Sequence, residues 1–109
     1  MKRADIIKIL VENRNKEFVS RIIGTGDRPA PLQNADGSIS THLMAAEKDD
    51  KGDWMVFPTI VHSGGGLNKM ALKDAMRHAK KTGEYIPFGK DGDSAVEFSA
   101  RYKEAVPNR

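Results

Sequence analysis

Trp54-Met55-Val56-Phe57-Pro58-Thr59-Ile60-Val61 is the longest apolar, β-branched and aromatic run in the chain, and it holds the only tryptophan. Gly52 bounds it on one side and Ser63-Gly64-Gly65-Gly66 on the other. Such composition between turn formers predicts a strand at the centre of a small core. Pro58 qualifies the reading: without an N–H it cannot donate to a ladder, so it belongs at a strand edge or a bulge.

Upstream, residues 38–47 begin with strand-like alternation, Ile39, Thr41 and Leu43 against Ser40, His42 and Met44. Asn34-Ala35-Asp36-Gly37 supplies turn chemistry before this segment, and Asp49-Asp50-Lys51-Gly52-Asp53 supplies a second turn after it. The expectation is an antiparallel hairpin with a loop of about five residues.

Downstream, residues 67–82 read as a helix with Leu72, Ala75, Met76 and Ala79 on one face, Asn68 as N-cap and Gly83 as C′ residue. Residues 84–88 form a short extended piece, a candidate third strand. A last helix is expected to start at Ser94, with Glu97 completing a capping box, and to carry Ala95, Phe98, Ser99 and Tyr102 until Pro107.

The N-terminal part is helical from about Ala4 to Ile23. Ile6, Ile7, Leu10 and Val11 share a spacing that Phe18, Val19, Ile22 and Ile23 repeat after Glu12-Asn13-Arg14-Asn15. One long helix or two fit this; the polar break favours two, with Asn15 as N-cap of the second and Gly24 closing it. Gly24-Thr25-Gly26-Asp27-Arg28-Pro29-Ala30-Pro31 reads as a stiffened surface linker. The fold class is therefore α+β: an N-terminal helix or helix pair, an antiparallel β-hairpin, and two C-terminal helices covering one face of it. Residues 1–23 form a helical arm, and residues 24–109 a compact domain.

With 109 residues the chain suits one domain. Hydrophobic residues make up 39% and charged residues 30%, ordinary values that exclude disorder throughout. No apolar run approaches the ~18 residues of a membrane span, and no signal peptide is recognisable, so no membrane is expected. The absence of cysteine removes disulfides, thiolate nucleophiles and Cys-type zinc sites. Eighteen Lys and Arg against fifteen Asp and Glu leave +3, a mild excess.

The motifs that would carry chemistry fail on spacing. Gly24-Thr25-Gly26 lacks the following Lys-Ser/Thr of a phosphate loop. His62-Ser63-Gly64-Gly65-Gly66 lacks the Gly-x-Ser-x-Gly elbow that would make Ser63 a nucleophile. His42, His62 and His78 are not at ligand spacing. The twelfth residue counted from Asp49 is Ile60 where a calcium loop needs Glu. Glu47 and Glu84 have no local reason to pair as acid and base. No catalytic residue, cofactor or metal is expected. Two surfaces remain: an apolar face of Ile6, Ile7, Leu10 and Val11, suited to a protein partner or to the chain's own core, and a basic face of Lys69, Lys73, Arg77, Lys80 and Lys81, suited to an anionic partner such as nucleic acid.

The succession of residues 31–42 with Asn34-Ala35-Asp36-Gly37-Ser38-Ile39-Ser40-Thr41, then Phe57-Pro58-Thr59-Ile60-Val61, then Thr82-Gly83-Glu84-Tyr85-Ile86-Pro87-Phe88, then Phe98 to Tyr102, resembles a small module that recurs in virion-associated proteins of tailed bacteriophages. The resemblance covers about Phe18 to Lys103. It implies a non-enzymatic virion structural or assembly protein, located in the virion, whose partners are other phage virion proteins in a homo-oligomer or as a ring-bound accessory. Two alternatives are an early phage protein that inhibits a host protein or nucleic acid by binding it, and an accessory of a cell-wall-degrading enzyme. The glycine run 64–66 and the lysine-rich helix after it depart from the similar segments and leave the partner open.

Overall fold

The computed structural model describes residues 1–24, 32, 33, 35–37, 39, 40 and 42–105. Most of the expected linker and the expected stop at Pro107 lie outside these residues. The elements are α1 (Arg3–Glu12), α2 (Glu17–Ile23), β1 (Leu32–Gln33), β2 (Ile39–Ser40), β3 (Met44–Lys48), β4 (Trp54–Pro58), β5 (Ile60–Ser63), β6 (Gly66–Lys69), α3 (Leu72–Thr82), β7 (Ile86–Gly89) and α4 (Gly92–Arg101), followed by a 3-10 turn at Tyr102–Ala105. The chain is an α+β fold.

Its centre is the antiparallel sheet β3-β4-β7. Met44 pairs with Pro58 and Lys48 with Trp54, so the expected hairpin forms around the 49–53 turn, but its first strand starts at Met44 and not at Ser38. Ile39 and Ser40 pair with Gln33 and Leu32 in a separate two-stranded sheet. In the central sheet β7 joins β4 on the other side, with Val56 opposite Ile86. Asp49 closes the hairpin because its Oδ1 accepts from the Lys51 and Asp53 amides at 2.9 and 3.0 Å. Pro58 sits past the last residue that β7 pairs, where its missing N–H breaks no ladder to that strand. Pro87 is tolerated because β7 is an edge.

The opening run is two strands and not one. At Thr59 the chain leaves the central sheet: the Thr59 amide donates to the Leu43 carbonyl and its own carbonyl accepts from Met70. Ile60 to Ser63 then pair with Lys69 to Gly66. Gly64 and Gly65 have φ of +60° and +85°, so the glycine run is a tight hairpin turn of the kind that needs two left-handed central residues, and it does not lead from strand to helix. This moves the next helix. Residues 67–69 are β6, α3 begins at Leu72 after Ala71, and Asn68 donates its side-chain amide to the Ser63 carbonyl at 3.1 Å instead of capping.

Alternation along β4 sends side chains to two cores. Val56, with Met44, Ala46 and Ile86, packs among Ile6, Leu10, Phe18, Val19, Ile22, Ala95, Phe98 and Tyr102; Met55 and Phe57 pack on Ala75 and Ala79. The two C-terminal helices therefore cover opposite faces of the sheet, α4 with the N-terminal pair on one and α3 alone on the other. Two N-terminal helices form, broken at Asn13 to Lys16, with Lys16 and not Asn15 at the N-cap position of α2. Gly24 ends α2 and Gly83 ends α3 in left-handed conformation, as their positions predict.

The start of α4 also differs from the expectation. Asp91 is the N-cap, with Oδ1 accepting the Ser94 amide at 3.1 Å, and the helix begins at Gly92. Gly92 lies under Trp54, where a Cβ would stand 2.6 Å from the indole Nε1, so a side chain there is excluded by contact. At the far end Arg101 Nη1 donates to the Met1 carbonyl at 2.8 Å, tying α4 to the beginning of α1.

Candidate functional site

The residues of the apolar N-terminal face separate. Ile6 and Leu10 are 0% and 2% exposed and belong to the chain's own core, whereas Ile7 and Val11 are 42% and 46% exposed. One turn apart, they stand together on the outward side of α1. A stripe four residues wide in sequence is thus a core pair beside a surface pair.

The basic residues also come from two elements. Lys69 lies on β6, and Lys73, Arg77, Lys80 and Lys81 lie on the exposed arc of α3, whose inner side carries Ala75 and Ala79. Between them runs an open groove of about 440 Å³ lined by Lys69, Met70, Asp74, Arg77, His78 and Lys81, with Ala71 at its end. Arg77 reaches Asp74 at 3.3 Å, an exposed pair. Lys80 turns toward the central hairpin and meets Asp49 at 3.4 Å. The Asp49 carboxyl is held below its ordinary range, first by the Asp53 amide and further by Lys51 and Lys80. Lys69, Lys73 and Lys81 make no ion pair among the described residues. Sequence reads His78 only as one of three histidines without ligand spacing, and it gives no reason for Met70, Asp74 and His78 to line one groove with Lys69 and Lys81.

The other polar candidates are held by the fold. Glu84 Oε1 accepts the Phe18 amide at 3.1 Å and so satisfies a donor in the first turn of α2. Glu47 lies on β3 opposite Met55. His42 Nδ1 is 2.9 Å from the Tyr102 hydroxyl, both groups buried. Burial pushes the Tyr102 phenol well above its ordinary value, with the charge of Arg21 opposing. Among the described residues no three His, Asp or Glu side chains gather as a metal site.

A further cluster joins α2 to β5. Arg21 is 8% exposed; its Nε is 2.9 Å from Glu17 Oε2 and its Nη2 donates to the Ile60 carbonyl at 2.8 Å. His62 Nδ1 is 3.2 Å from the same Glu17 oxygen. Burial lowers the Arg21 guanidinium from its ordinary value, and Glu17 and Glu84 work against that. The i,i+4 spacing of Glu17 and Arg21 is visible in sequence; that His62 completes the set is not.

No family model, curated protein or solved structure matches this chain. No helix among the described residues is long and apolar enough to cross a membrane.

Proposed function

We propose that the chain is a non-enzymatic bacteriophage virion protein, structural or assembly, that acts through contacts with other virion proteins. The observation that carries this reading is the division of α1: Ile6 and Leu10 anchor the helix in the core, so Ile7 and Val11 are presented outward on a rigid support. Rigid presentation lowers the ordering cost of a contact, which suits a protein that works by repeated docking. The resemblance of residues 18–103 to virion-associated modules supplies the setting, and a homo-oligomer or a ring-bound accessory is the state proposed.

Mass spectrometry of purified particles, together with light scattering of the isolated protein before and after Ile7→Asp and Val11→Asp, tests the proposal. The expected outcome is a chain present in particles and an assembly, with itself or with a copurifying virion protein, that the double variant loses while keeping its helical content. A chain absent from particles and strictly monomeric at high concentration would defeat it, and would favour an early phage protein instead.

A further inference from the structure

Lys69, Lys73, Arg77 and Lys81 recur every fourth residue. Three of them fall on one ridge of α3, because residues four apart in a helix advance only about 40° around the axis and about 6 Å along it. Lys69, on β6, lies outside that helix and lines a groove with Arg77 and Lys81. The result is three cations at a regular interval along α3, with a fourth from β6 on the groove that Arg77 and Lys81 also line. The groove's one acidic residue, Asp74, is held to Arg77 by an exposed pair, a weak interaction readily exchanged for another anion.

We infer that this ridge binds double-stranded nucleic acid through its phosphate backbone, independently of base sequence. A regularly charged row is complementary to a regular polyanion. Two rival occupants fit less well. A single strand is held largely by stacking on aromatic rings, and the groove is lined by none of the chain's Phe, Tyr or Trp residues. An acidic protein segment takes most of its affinity from aromatic or aliphatic anchors in pockets, and here the apolar lining is limited to Met70 and Ala71. The inference is independent of the virion reading, since it concerns a different surface from Ile7 and Val11.

The test is fluorescence anisotropy of a short mixed-sequence DNA duplex with the whole protein, across a series of salt concentrations. Four neutralised phosphates give a slope of log K against log salt of about −3.6, and replacing Lys73, Arg77 and Lys81 with Gln lowers it to about −1. Lys8→Gln on exposed α1 leaves it unchanged. A second duplex of unrelated sequence binds with the same affinity. The three substituted residues are exposed, so circular dichroism should show the variant folded. Absence of binding at low salt, an unaltered slope in the triple variant, equal or tighter binding of the separated single strand, or equal or tighter binding of polyglutamate of matched charge each overturns the inference.

Discussion

The two faces of the central sheet are built from different materials. One is closed by α1, α2 and α4 with Phe18, Phe98, Tyr102, Ile6, Leu10 and Ile22; the other is closed by α3 through Ala75 and Ala79 set against Met55 and Phe57. The first is bulky on both sides of the contact, so stability is concentrated there. On the second, alanines let the helix backbone come close to the sheet, and the helix is left with an outer surface rich in Lys and Arg. The difference separates roles: one helix layer holds the fold together, and the other displays charge on a support that needs little volume of its own.

The largest effect should follow from opening the bulky side. Phe98→Ala, at a residue with no exposure, is expected to cost about 3–5 kcal/mol, measured by urea unfolding. If Met76→Ala on the half-buried edge of α3 cost as much, the contrast between the faces would fail.

Filling the close-packed side should cost less. Ala79→Leu adds volume where α3 meets Phe57 and is expected to destabilise by about 1–3 kcal/mol. A neutral result would mean that α3 leaves room between its backbone and the sheet.

Tyr102→Phe is expected to cost about 1 kcal/mol, because the hydrogen bond between the hydroxyl and His42 is removed while the ring packing stays. It also carries a pH signature. The folded-state pKa of this phenol is raised above the ordinary value of 10.0, so the folded protein retains a proton that the unfolded chain releases. Its contribution is full below pH 10 and falls as pH rises beyond that value. Thermal melts of wild type and Y102F between neutral and alkaline pH should therefore converge as pH rises, and parallel curves would refute the assignment.

The smallest effect should come from the outer surface of α3. Lys73→Gln and Lys81→Gln are expected to change stability by no more than about 0.5 kcal/mol in the same unfolding assay, since neither side chain makes an ion pair among the described residues. A loss above 1 kcal/mol would show that the charged layer also has a structural task.

The functional reading divides in the same way. Ile6, Ile7, Leu10 and Val11 are equivalent by spacing, and only the packing of α1 on α4 and the residues after it assigns two to the core and two to the surface. Lys69 and Lys81 are twelve residues apart in the chain and line one groove where β6 runs into α3 through Met70 and Ala71, while the turn at Gly64 and Gly65 pairs β6 with β5. Glu84 reads as an idle carboxylate until the first turn of α2 is seen to rest on it, and Gly92 reads as a loop glycine until the indole of Trp54 is found above it.

From sequence alone came the α+β class, the antiparallel hairpin around the Asp49 to Asp53 turn, the break between two N-terminal helices and the glycine ends of α2 and α3. All of these follow from interactions within a few residues: side-chain alternation, turn chemistry and left-handed glycine. Tertiary structure alone decided which helix covers which face, that Pro58-Thr59 divides one apolar run between two sheets, and which members of each charged or apolar stripe are left at the surface. Those outcomes depend on what lies across the sheet from each residue, and side chains brought together from distant parts of the chain leave no periodic trace in it.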